Sequence, residues 1–149
     1  MKLIGFLFLF VLCVSCSNQV KQENKIPLEG TWRLLSGKTI AQNDTTFTDY
    51  THGQKTIKII NANHFSFLRH DLNKGVDSTA VFVAGGGKYT LKGNTYTEHL
   101  EYCNFREWED NTFEFGVSIN NDTLIQTGIE KIEDLGVDHI IIETYIRMD

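Results

Sequence analysis

Hydrophobic side chains recur at every second position through most of the chain beyond residue 28, the spacing that places them on one face of a strand. Nine segments carry this period: 30–40, 54–60, 64–70, 78–84, 87–92, 94–103, 112–119, 122–129 and 138–147. Between them fall Asn61-Ala62-Asn63, Asn73-Lys74-Gly75, Lys92-Gly93-Asn94, Asn120-Asn121-Asp122 and Gly136-Val137-Asp138. Asn, Asp and Gly tolerate the positive φ that tight hairpins need. No stretch of twelve residues holds a clean helical period, and one short helix fits either 41–53 or 104–110. Strands joined in order by short turns predict an antiparallel meander, and closing it into a barrel removes its exposed edges. The expected architecture is all-β: a single antiparallel up-and-down barrel of eight or nine strands within residues 28–149.

The opening of the chain follows another pattern. After Lys2, residues Leu3 to Val14 form an apolar run in which only Gly5 and Cys13 interrupt the large side chains. Twelve residues are too few for a bilayer-spanning helix, which takes about 20, but they have the length of a signal-peptide core. The run ends in Cys13-Val14-Ser15-Cys16. A small residue directly before a cysteine resembles the lipobox of bacterial lipoproteins. That resemblance implies cleavage after Ser15, so that residues 1–15 are a signal peptide, and lipidation of Cys16 by a diacylglycerol. The protein is then expected in the cell envelope, anchored to a membrane, with the outer membrane the preferred address. Read instead as a redox motif, Cys13-x-x-Cys16 lacks the strand-to-helix setting that chemistry requires. Residues 16–27 form the lipidated N-terminus and a polar tether, and its eleven residues from Ser17 to Pro27 reach roughly 35–40 Å when extended.

Composition changes this picture little. With 149 residues, 41% hydrophobic, ten Phe and a single Pro, the chain suits one packed core rather than disorder. The net charge of −5 becomes −6 when Lys2 is removed with the signal, and an acidic surface argues against nucleic acid as a partner. The cysteines left after cleavage are Cys16 and Cys103. With Cys16 acylated no intramolecular disulfide forms, and Cys103 reads as a packed thiol. Gly85-Gly86-Gly87-Lys88 suggests a phosphate loop, but Tyr89 stands where Ser or Thr is required and a strand follows. A bulge or corner in the barrel suits three glycines better. His64 and His70 share a strand face about 20 Å apart, too far for one metal ion. No metal, cofactor or catalytic residue is expected.

Gly30-x-Trp32 opens the first strand and Arg147 lies near the end of the last. This resembles the Gly-x-Trp opening of the lipocalin and fatty-acid-binding superfamily. The resemblance implies that Trp32 plugs the closed end of the barrel and that Arg147 stacks over its ring. The run GGGKYTLKGNTYTEHLEY, residues 85–102, is similar to a group of small bacterial lipocalin-like proteins of uncharacterised function. That likeness extends over about residues 30–147 and implies a fold without an established activity.

Alternate residues of a small barrel point inward. Taking the more apolar face of each strand as the lumen gives Ile57 and Ile59; Phe65, Phe67 and Arg69; Val81 and Val83; Tyr89 and Leu91; Tyr96, Glu98, Leu100 and Tyr102; and Phe113, Phe115, Val117 and Ile119. Two charges ride on these faces, Arg69 and Glu98. They pair with each other, sit at the mouth, or meet a ligand. The candidate binding site combines them with an apolar wall of Phe65, Phe67, Tyr89, Tyr96, Tyr102, Phe113 and Phe115. Arg69 is expected to grip an anionic head group, with Glu98 protonated or orienting it from behind. The expected function is therefore a lipid-anchored binding protein whose partner is a small hydrophobic or amphipathic molecule. The alternatives are a packed-barrel interaction or inhibitor lipoprotein and a barrel enzyme using Glu98 for acid–base chemistry.

Overall fold

A computed structural model describes residues 26–148; the expected signal peptide, the expected lipidation site Cys16 and the expected tether up to residue 25 lie outside the described residues. Nine strands follow in order: β1 (Gly30–Ala41), β2 (Asp44–Asp49), β3 (Gln54–Ile60), β4 (His64–Asp71), β5 (Phe82–Lys92), β6 (Thr95–Cys103), β7 (Thr112–Asn120), β8 (Thr123–Ile132) and β9 (Val137–Met148). From β3 to β9 each strand pairs antiparallel with the next, and β1 pairs with both β3 and β9. Eight strands thus close into a lipocalin-like barrel, and β2 is an added strand. The only helical pieces among the described residues are short 3₁₀ turns at Arg106–Trp108 and Glu133–Leu135.

Two segments depart from the sequence reading. Residues 44–49, inside one of the two stretches that fit a helix, form β2. Their sequence DTTFTD favours a strand through its β-branched threonines, but both faces are largely exposed, so no hydrophobic alternation announces it. β1 changes partner along its length, pairing with β3 over Gly30–Arg33 and with β2 over Ser36–Ala41. The second departure is that 78–84 and 87–92 do not form separate strands. Residues 72–81 are a loop, tied down by Asp71, which accepts the backbone N–H groups of Gly75 at 2.9 Å and Val81 at 3.2 Å. β5 then runs unbroken through the three glycines.

Those glycines let neighbouring backbones approach. A Cβ on Gly87 would collide with the carbonyl oxygen of His99. The β5–β6 ladder shifts here, from Gly86 opposite Tyr102 to Gly87 opposite Leu100, leaving Glu101 as the extra residue of a bulge. A bulge reverses the inside–outside alternation beyond it. Leu100, before the bulge, keeps the inward phase of Tyr96 and Glu98, whereas beyond it Cys103 is buried and Tyr102 is 68% exposed on the outer surface, a correction to its placement in the lumen.

The lower end of the barrel is packed solid around Trp32, which is fully buried beside Leu28, Tyr96, Phe115 and Leu124. The Trp32 indole N–H donates to the Leu28 carbonyl at 2.9 Å. The Arg147 guanidinium lies 4.1 Å from the Trp32 ring centre and donates to the carbonyls of Glu29 at 2.8 Å and Pro27 at 2.6 Å. Gly30 is required at this crossing. Its φ of +143° is one that L side chains rarely adopt, and a Cβ would stand 2.5 Å from an Arg147 nitrogen. The chain before β1 is clipped by these bonds to the closed end, where the turns 61–63, 93–94 and 121–122 also lie.

Candidate functional site: a cavity in the open half of the barrel

Register decides which face of β3 looks inward. Lys58 stands directly opposite Trp32 on β1 and Phe67 on β4, and cross-strand partners share a face. Thr56, Lys58 and Ile60 are therefore the buried set, while Ile57 is half-buried and Ile59 exposed. This is the reverse of the expected lumen face. The isoleucines made that face look apolar, but the pairing of β3 with β1 outweighs their preference.

Lys58 is thereby carried into the barrel, and the structure surrounds it with groups that compensate a buried ammonium. It donates to Glu98 Oε1 at 2.6 Å and to Gln126 Oε1 at 2.9 Å. The rings of Phe65, Tyr96 and Tyr145 stand at 5.8, 5.7 and 5.6 Å from its Nζ, within range of cation–π attraction. Glu98 thus pairs with Lys58 and not with Arg69. Sequence reasoning missed Lys58 and Gln126. Glu98 was the available signal, since a carboxylate on an apolar strand face needs a cation from another strand.

Above this pair lies a cavity of about 340 Å³. Its apolar lining is formed by Phe67, Val83, Leu100, Trp108 and Phe113. Interleaved with these are the charged side chains of Lys58, Arg69, Glu98, Glu130 and Glu143, with Tyr145 and Thr56: Lys58 is the cross-strand neighbour of Phe67, and Glu98 that of Phe113. Arg69 donates Nε–H to Gln54 Oε1 at 2.6 Å and its guanidinium lies 5.3 Å from the Tyr50 ring centre. It also lines a second cleft of about 370 Å³ beside the 72–81 loop, so it stands between the cavity and that loop.

The carboxylates of the lining are not equivalent. Glu130 accepts from or pairs with His139 Nε2 at 2.9 Å, its direct neighbour in the β8–β9 ladder. Glu143 accepts the Tyr145 hydroxyl at 2.6 Å and has no cation within ion-pair distance among the described residues. Burial pushes both carboxyls above the ordinary range, and the Lys58 charge opposes that shift in each. The Tyr96 and Tyr145 phenols are likewise pushed up by burial, with neighbouring carboxylates adding to the effect, so both act as neutral O–H groups. The Thr56 Oγ1 and the Tyr96 hydroxyl are buried and without a hydrogen-bond partner among the described residues.

Of the residues proposed from the sequence, Phe67, Arg69, Glu98 and Phe113 line this cavity. Phe65, Tyr96 and Phe115 are buried in the packed core. Tyr89 packs against Tyr96 with ring centres 5.2 Å apart and planes tilted by 57°, and it donates its hydroxyl to the Asn61 carbonyl at the closed end. Tyr102 faces solvent. Cys103 is buried and unpaired on the cavity lining. Among the described residues no group of three or more His, Cys, Asp or Glu side chains is placed to hold a metal ion, and no helix is long and apolar enough to cross a membrane. No protein-family model matches the chain, and no curated protein is similar to it in sequence.

Proposed function

We propose that this chain is a lipid-anchored, lipocalin-like binding protein of the bacterial cell envelope that takes a small hydrophobic or amphipathic molecule into the open half of its barrel. The cavity carries this reading. It has the size of a small-molecule site, and it combines an apolar lining with a few converging polar groups, the usual composition of such sites. The bonds from Arg147 to Pro27 and Glu29 fix the start of the domain at the closed end. An anchor on Cys16 would therefore leave the mouth at the far end of the barrel from the tether, open to the aqueous compartment.

Trp108 lines the cavity and provides its own reporter. Titration with decan-1-ol should change Trp108 fluorescence in the wild type, and Leu100→Trp, which fills the cavity, should abolish binding by calorimetry. Unchanged affinity in Leu100→Trp would place the ligand elsewhere and overturn the reading. For the anchor, Cys16→Ala should accumulate uncleaved precursor and lose palmitate labelling; a variant still cleaved after Ser15 and still labelled excludes lipidation at Cys16.

One observation favours a second reading, a protein-interaction lipoprotein. Phe47, Leu72, Val76 and Phe82 are exposed on the hairpin and loops near the mouth, more apolar surface than turns normally show. An enzyme working through Glu98 has less support, because Lys58 already occupies its Oε1.

A further inference from the structure

We infer that the ligand of this cavity carries an ammonium group, which pairs with Glu143 while its apolar body lies against Phe67, Leu100 and Trp108. The inference rests on the ligand-binding reading above and names the chemistry of the bound molecule's polar end.

Three carboxylates line the cavity, and they differ in their nitrogen partners. Glu98 pairs with Lys58 at 2.6 Å. Glu130 is within hydrogen-bond distance of His139 Nε2, at 2.9 Å. Lys58 spends a further N–H on the Gln126 amide, and Arg69 is drawn to the Gln54 amide and the Tyr50 ring. Glu143 receives only the neutral Tyr145 hydroxyl. A carboxylate partly withdrawn from water with no ion-pair partner is unfavourable; burial raises its pKa, and the Lys58 charge opposes that shift from beyond ion-pair distance. A ligand cation would supply the missing charge.

A second feature points the same way. Thr56 lines the same cavity, is only 8% exposed, and leaves its Oγ1 without a partner. A hydroxyl oxygen accepts hydrogen bonds, and an ammonium has three N–H donors to give. The Glu143 carboxylate and the Thr56 hydroxyl thus offer an ammonium two acceptors. A carboxylate-headed ligand would be repelled by Glu143 and would turn instead to Arg69.

The test uses three probes of equal chain length: decylamine, decan-1-ol and decanoic acid, each titrated calorimetrically below its aggregation concentration against the wild type and Glu143→Gln. Decylamine should bind the wild type about tenfold or more tighter than decan-1-ol, as a charge-assisted contact requires. Glu143→Gln should erase that advantage, so that decylamine and decan-1-ol bind the variant equally, with circular dichroism showing that the variant is folded. If decan-1-ol or decanoic acid binds and decylamine is no tighter, the ammonium inference falls while the binding reading stands. The same holds if Glu143→Gln weakens decylamine and decan-1-ol equally. If none of the three binds, both fall.

Discussion

A lysine ammonium taken out of water costs several kcal/mol unless its partners restore what water supplied. Lys58 meets that condition through Glu98, Gln126 and three aromatic faces. The pair is therefore expected to behave as a unit. Lys58→Met strands the Glu98 carboxylate and should cost about 3–5 kcal/mol of stability; Glu98→Leu strands the ammonium with a similar loss. The double variant leaves neither charge behind and should be more stable than either single one. Urea unfolding of all four proteins checks this through the double-mutant cycle. Additive losses would mean that the two groups do not depend on each other.

At the scale of elements, the bulge at Gly86–Gly87 is what sorts β6 into its inner and outer residues. It turns Cys103 inward and Tyr102 outward, against the phase that Tyr96, Glu98 and Leu100 set. Two substitutions separate this from a simple alternating strand. Gly87→Ala drives a methyl group into the His99 carbonyl and should destabilise by about 1–3 kcal/mol, the usual range for overpacking. Tyr102→Ser should stay within about 0.5 kcal/mol of the wild type, as exposed positions do, and leave decan-1-ol binding untouched. A large loss in Tyr102→Ser, by thermal or urea unfolding, would return that residue to the interior.

For the whole molecule, the closed half supplies the core and the open half bears unfavourable burial of charge. Glu143 is pushed up by burial, so between its ordinary value and its raised one the folded protein holds more protons than the unfolded chain. Stability then falls as pH rises through that window. Glu130 shifts in the same direction. Asp71 has the opposite sign, because backbone N–H groups of Gly75 and Val81 hold it below its usual value; its contribution is lost as pH falls through that lowered value. Glu143→Gln should therefore be more stable than the wild type at neutral pH. The difference in urea midpoint should widen as the pH is raised upward from the ordinary carboxylate range. A constant difference would show that Glu143 does not titrate there.

Period-two alternation determined the all-β class, most strand positions and the sequential hairpins, because each depends on residues close together in the chain. The first-strand Gly30-x-Trp32 and the terminal Arg147 likewise marked the two ends that meet at the closed base. β2 was not legible, since a strand exposed on both faces has no hydrophobic side to display. The inner face of β3, the outward turn of Tyr102 and the pairing of Glu98 were decided by tertiary structure alone. Each depends on register and bulges that alternation within one strand does not encode: Lys58 opposite Trp32, Gly87 opposite Leu100, and Lys58 beside a carboxylate 40 positions away. Alternation states that a strand has two faces. Only closure of the barrel, with its bulges and its shared ladders, decides which face the ligand would meet.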